Sequence, residues 1–272
     1  MPSSTPIPHT LPNAVKADNC NTDGLGAPRD YFANFSRAIN ATGVAVSFAS
    51  CEWGLDDVAS WGPDLTQVYR VRPDHLPFWS FDIPGAYPPG GQGTGDIIEG
   101  LANASVTAGL APYSYPDPDF LMTGLFQTEA ESITEFSFWA LWSAPMLVAT
   151  DVRNMSAFKA SILTNTDVLA VQWDAALAPA SRLRGGTAQT WAKPLADGSV
   201  AVVLYNSDDA IAQNVSIAWA DLGGKWAQSG AAVKVYDLWA HAVIAAAASS
   251  GLTAAALPPH GSAMWRLTLV SE

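Results

Sequence analysis

The chain has 272 residues, 49% of them hydrophobic and 14% charged, and carries a formal net charge of −12 from 25 acidic against 13 basic side chains. This composition excludes a disordered chain and supplies apolar material for one large domain or two smaller ones. The acidity comes without any local basic run, which argues against a nucleic-acid or anionic-membrane partner, and no stretch is long and apolar enough to cross a bilayer.

From residue 13 to about 177, short apolar runs alternate with longer helical stretches. The first run, Ala14 to Ala17, holds Lys16 in its middle and ends at Asp18, Asn19 and Cys20. The period of two in a strand places Lys16 and Asp18 on one side. Val44 to Ser50 reads as a buried strand ending at Cys51-Glu52-Trp53, and Gln67 to Val71 as another ending at Arg72-Pro73-Asp74. Asp96 to Leu110 reads as a helix leading into a strand, Ala111 to Tyr115, which Pro116-Asp117-Pro118-Asp119 stops. Thr128-Glu129-Ala130-Glu131 is a capping-box pattern, and Ile133, Phe136 and Trp139 follow it at helical spacing. Met146 to Ala149 is again strand-like.

Strands alternating with helices imply parallel pairing. Each strand ends in polar residues, the place where α/β barrels carry their chemistry, and Asp18, Glu52, Asp74 and Asp119 all fall at such ends. After a loop at Ala178 to Gly186 only strands and turns follow: Thr187 to Lys193, Val200 to Tyr205, Val215 to Trp219, Val233 to Trp239 and Ser262 to Val270. They read as a small antiparallel sandwich, with an Ala-rich tract at 240 to 256 left without structure.

Cys20 and Cys51 are the two cysteines, each after a strand-like run, and His9, His75, His241 and His260 show no ligand spacing. A zinc site is therefore not expected. Five N-x-S/T sequons begin at Asn34, Asn40, Asn103, Asn154 and Asn214, which leans toward an oxidising compartment in which the two cysteines would form a disulfide. Residues 1 to 12 lack the layout of a signal peptide.

Read together, the strand ends resemble glycoside hydrolase family 27, the α-galactosidase and α-N-acetylgalactosaminidase family. Lys16-Ala17-Asp18-Asn19-Cys20 is similar to its K-[YF]-D-x-C motif, Cys51-Glu52-Trp53-Gly54 to its C-E-W-G stretch, and Arg70 to Asp74 to its R-x-x-x-D motif. Asp117-Pro118-Asp119 sits in a counterpart of its W-N-D-P-D-M run, with Tyr115-Pro116 in place of Trp-Asn; His75 stands where an aliphatic residue is usual. The stretch from Phe138 to Asp174 and the tail "VYDLWAH…LPPHGSAMWRL" are similar to the family as well.

The resemblance implies an α/β plus all-β fold. Residues 1–180 would be an incomplete (β/α)8 TIM barrel, its strands four to eight, and residues 181–272 a C-terminal antiparallel β-sandwich. It assigns Asp18 as nucleophile and Asp74 as acid/base of a retaining exo-α-galactosidase, with Lys16, Glu52, Leu55, Arg70 and Asp119 as substrate-binding residues. Glu52 and Leu55 fill the space that an acetamido group would need, so a 2-hydroxyl sugar is favoured. Lys16 would favour the Asp18 carboxylate, while Asp74, near Phe78 and Trp79, would be less solvated. The expected disulfide joins Cys20 to Cys51. No metal or organic cofactor is implied, the partner is an α-galactoside, and a homo-oligomer is left open. The location implied is extracellular, lysosomal or vacuolar.

Only 17 residues precede Asp18, whereas three strand–helix units would come first in the family. The chain is therefore expected to be a C-terminal portion that hydrolyses α-galactosides poorly by itself. Two other readings stand beside this one: a β-L-arabinopyranosidase of the same family, and a non-catalytic sugar-binding or interaction protein.

Overall fold

The computed structural model describes residues 14–22, 24–85, 87, 89–102, 114–125, 127–178, 180–228 and 231–270. Four strands, β1 (Ala14–Asp18), β2 (Ser47–Cys51), β3 (Val68–Arg70) and β4 (Tyr115–Asp117), pair in parallel and in chain order. Helices α1 (Pro28–Ala41), α2 (Val58–Leu65) and α3 (Thr94–Gly100) lie in the crossovers that parallel pairing requires. Asp18 registers with Cys51 and Arg70 with Asp117, so the carboxyl ends of the strands bring their charged residues to one edge.

Glu129–Leu141 forms α4, and its start is the expected capping box. The Thr128 hydroxyl accepts from Glu131 N at 3.2 Å, and Glu131 Oε2 accepts from Thr128 N at 2.7 Å. Most of α4 is buried on every side, including Phe136, Phe138, Trp139 and Leu141, the signature of a helix enclosed by its neighbours. Two short helices, α5 (Ala157–Leu163) and α6 (Thr166–Gln172), follow, capped by Ser156 and Asn165 side chains.

Eight antiparallel strands follow among the described residues: β5 (Ser181–Arg184), β6 (Ala188–Pro194), β7 (Val200–Asn206), β8 (Gln213–Ala218), β9 (Val233–Asp237), β10 (Ala242–Ala248), β11 (Gly251–Leu257) and β12 (Ser262–Leu269). Six form a sheet in the order β10-β9-β12-β7-β6-β5, and β11 pairs with β8. Val202, Leu204, Val215, Ile217, Trp265 and Leu267 fill the space between these two sheets. A larger core holds Phe48, Tyr69, Phe136 and Trp139 together with Trp191, Val203, Tyr205 and Met264. It runs without a break from the parallel sheet through α4 into the six-stranded sheet.

The structure departs from the sequence reading at several elements. Tyr115–Asp117 is strand although it contains Pro116, because β4 is three residues long and has β3 as its single described neighbour. The helix read from Asp96 starts at Thr94 and ends at Gly100, with Leu101 as its C-cap; residues 103–113, which hold the rest of that reading and most of the strand read after it, lie outside the described residues. Met146 to Ala149 is not a strand. Val148 makes one parallel bridge with Leu121, through Leu121 N to Leu147 O at 2.7 Å and Ala149 N to Leu121 O at 3.0 Å. The loop at 178–186 contains β5, and the Ala-rich tract contains β10 and β11.

Phe138 makes edge contacts with Trp191 and Tyr205 at ring separations of 5.2 and 5.4 Å, bridging α4 to the sandwich. Phe138→Ala should lower stability by about 3–5 kcal/mol. Because the core is continuous, urea transitions followed by circular dichroism and by tryptophan fluorescence should coincide in both proteins; separate transitions would show two independent units.

Candidate active site

Arg70 lies at the centre of the charged edge and is 1% exposed. A buried guanidinium is tolerable only if its donors are paired. Its Nη2 donates to Asp74 Oδ1 at 2.8 Å, to Asp119 Oδ2 and to Pro73 O at 3.3 Å, while Nη1 reaches Cys51 Sγ at 3.5 Å. Through Arg70, the last residue of β2 and residues following β3 and β4 are tied to one point. β1 adds Lys16 and Asp18, whose charged atoms stand 3.8 Å apart on the exposed side of the strand. Lys16 Nζ also lies over the Phe120 ring, 5.7 Å from its centroid.

Glu52 follows β2 in a turn with Trp53, Gly54, Asp56 and Asp57 all at positive φ. Gly54 is required there, since a Cβ would fall 2.2 Å from Val71 O. The turn buries the Glu52 carboxyl completely, and neither oxygen has a hydrogen-bond partner among the described residues. Burial, with Asp56 nearby, pushes its pKa up to about 9; Gly54 and Leu55 backbone N–H groups lean toward it and pull weakly the other way. At neutral pH it is a carboxylic acid that can donate to a ligand. Leu55 is half-buried beside it.

Asp119 also holds a left-handed backbone conformation, φ 86°. Three contacts fix it: its N–H donates to Asp117 Oδ1 at 2.9 Å, its carbonyl accepts from Trp139 Nε1 at 2.8 Å, and its Oδ2 accepts from His75 N at 2.9 Å. Asp117 is buried, which raises its pKa against the pull of Arg70. The His75 ring lies beneath. Nδ1 faces Phe120 O at 2.8 Å and must carry the proton, so Nε2 accepts from Thr94 Oγ1 at 2.8 Å. Burial lowers the His75 pKa to about 4, keeping it neutral. Glu135, fully buried 3.8 Å away, accepts from Met122 N and Thr123 Oγ1, and burial raises its pKa to about 7.

The edge therefore gathers Lys16, Asp18, Glu52, Arg70, Asp74 and Asp119. Two expectations need correction. Asp74 is not desolvated: its side chain is 61% exposed, because it lies over Arg70 and away from Trp79, which stacks on His260 instead. The bridge between Cys20 and Cys51 is not formed, and both are free thiols. Cys51 is buried facing Arg70, with burial pushing its pKa up to about 12 against the pull of Arg70 and Lys16, whereas Cys20 is exposed in the turn beyond Asp18. Sequence reading missed Tyr31, whose hydroxyl donates to Asn19 Oδ1 next to Asp18, and Glu135. Glu135 had one usable signal, a carboxylate beside Phe136 on the buried side of a helix.

Glycoside cleavage works with a pair of carboxyl groups at one sugar ring, and a parallel sheet whose carboxyl edge supplies acids from separate strand ends is the layout of an α/β-barrel glycoside hydrolase. A family model described as alpha galactosidase A matches residues 11–174, and one described as the alpha galactosidase C-terminal beta sandwich domain matches residues 185–267. The chain belongs to this α-galactosidase family, glycoside hydrolase family 27. The α-galactosidase of Oryza sativa subsp. japonica is 32% identical over 256 residues, covering 93% of this chain and 56% of the relative. Alpha-galactosidase 2 of Arabidopsis thaliana is 30% identical over 264 residues, covering 93% and 59%. The structure of α-galactosidase I from Mortierella vinacea superposes with a TM-score of 0.86 at 23% identity, covering 94% of this chain and 68% of that one. The chain thus spans less than two thirds of the length of both plant relatives.

The raised pKa of Glu52 makes a pH prediction. The folded protein holds that proton up to about pH 9, the unfolded chain only to about 4.5. The contribution to stability is complete below pH 4.5 and is lost as pH rises toward 9. Glu52→Gln lacks this loss, so it should melt like the parent near pH 4.5 and be more stable by about 1–3 kcal/mol at pH 8. Thermal melts across that range check it; an advantage that does not grow with pH would refute the assignment.

Proposed function

We propose that this chain carries the catalytic carboxylates of a retaining exo-α-galactosidase, with Asp18 as nucleophile and Asp74 as acid/base. The observation that carries the reading is the Arg70 hub. Asp74 is bonded to it directly, while Asp18 registers with Cys51, whose sulfur contacts the same guanidinium. Lys16, 3.8 Å from Asp18, has donors left for a sugar hydroxyl. The exposure of Asp74 gives the leaving group and the later water access from the solvent side. Glu52, Arg70 and Asp119 then bind hydroxyls, and Leu55 limits the room beside them.

The same reading divides the chain near residue 180 into a catalytic barrel portion and a sandwich domain. The described sequon asparagines, Asn34, Asn40, Asn154 and Asn214, are all exposed, which supports N-glycosylation in a secreted or vacuolar protein. The substrate proposed is a terminal α-linked galactose on an oligosaccharide or glycoconjugate.

The test is hydrolysis of nitrophenyl α-galactoside and nitrophenyl β-L-arabinopyranoside, with the first-formed anomer followed by NMR. The galactoside should be preferred and release α-galactose first, the outcome of two displacements at carbon 1. Asp18→Ala should lower kcat by roughly three orders of magnitude or more. Asp74→Ala should be less damaging with nitrophenol, which needs little protonation, than with raffinose. Preference for the arabinopyranoside would move the assignment to that sugar, and β-galactose as first product would exclude the double displacement.

A further inference from the structure

A cleft of about 450 Å³ lies between α3 with its preceding loop on one wall and β5, β7 and the turn after β7 on the other. None of its lining residues belongs to the Arg70 site, and its volume is within the roughly 300–1,000 Å³ typical of ligand pockets. Its walls are held by paired charges. Glu99 Oε2 lies 2.9 Å from Arg182 Nη1, and its other oxygen accepts from Gln189. Asp96 accepts from Ser80 Oγ, Phe81 N and Gly93 N at 2.8 to 3.0 Å. His260 Nε2 stands 2.9 Å from Asp209, and its ring stacks on Trp79 at 4.4 Å and 11°. Gly95 admits the indole edge, for a Cβ there would meet Trp79 Nε1 at 2.6 Å.

Two polar groups are left over. Tyr205 is 1% exposed and lines the cleft, yet its hydroxyl has no hydrogen-bond partner among the described residues. The indole N–H of Trp79, on the same cleft, has none either. Both groups open on the cleft, where a ligand or water can supply the missing bond.

The lining also selects the ligand. A phosphate or sulfate would meet three carboxylates, with Arg182 already committed to Glu99. A metal ion would have to displace existing partners, and no group of three ligating side chains is so placed among the described residues. A purely apolar molecule would strand the Tyr205 hydroxyl and the Trp79 indole N–H. What fits is a neutral ring with C–H groups on its face, set against Trp79, and hydroxyls at its rim, one of them reaching the Tyr205 hydroxyl. We propose that this cleft is a second carbohydrate site that takes a hexose unit of a neutral oligosaccharide, separate from the site at Arg70. It does not depend on the hydrolytic reading.

The probe is raffinose, titrated into the Asp18→Asn chain so that turnover does not interfere, while the Trp79 indole resonance, assigned with Trp79→Phe, is followed by NMR. The resonance should shift saturably in the millimolar range. Tyr205→Phe should weaken the response about 5- to 10-fold. Its melting temperature should not fall, since the lost hydroxyl has no partner among the described residues. An unmoved indole signal at about 50 mM raffinose and melibiose, well above a millimolar Kd, would overturn the proposal. So would an unchanged affinity in Tyr205→Phe, or a response to sodium sulfate or calcium chloride in place of the sugars. Loss of hydrolysis with binding intact would count against the Arg70 site alone.

Discussion

A single buried cation organises the charged edge. Arg70 sits buried at the end of a three-residue strand, so the chain must bring acceptors to it from elsewhere. Those acceptors come from the turn after β3, from the loop after β4 and from the sulfur that ends β2. Satisfying one guanidinium therefore fixes the relative heights of three strand ends. Asp119 pays the backbone part of this arrangement with its positive φ, and Asp117, Trp139 and His75 keep it there. Arg70 Nε remains without a partner among the described residues, so even this pairing is incomplete.

The site is also where the fold gives up stability. Glu52 is enclosed without hydrogen bonds in a turn of left-handed residues, and Glu135 and His75 lie close together in a layer that disfavours charge on either. Elsewhere the chain buries charge on better terms. Lys193, fully buried in β6, donates to Ser143 Oγ and to Val171 O, joining the sandwich to the segments before it. The buried ammonium of Lys193 is paired where the buried carboxyl of Glu52 is not, as expected where function and stability compete.

How much of this could be read from the residues depends on the range of the interaction. The capping box at Thr128 and the shared face of Lys16 and Asp18 are set by neighbours three and two positions away, and both stand as expected. The parallel order and the charged strand ends followed from alternation alone. Asp74 misled because its solvation is decided by Arg70 beneath it and by where Trp79 turns, and neither is local. β10 is mostly alanine and β11 holds three alanines in a row, so side-chain pattern carries little strand signal; their partners β9 and β8 impose the conformation. The cysteines show the opposite limit, since adjacency of two strand ends in register does not decide where each sulfur points.

The unbroken core has a consequence for synthesis. Helix α4 is enclosed only when β7 and β12 lie against it, and Thr134 Oγ1 bonds to His260 O across 126 residues of sequence. A nascent chain leaves the ribosome in order, so Phe136, Phe138 and Trp139 are translated long before the strand that covers them. Until β12 emerges, the first half presents an apolar helix to the cell, a state open to chaperones and to aggregation. Emergence of β12 is thus the event that lets both parts of this core become native together.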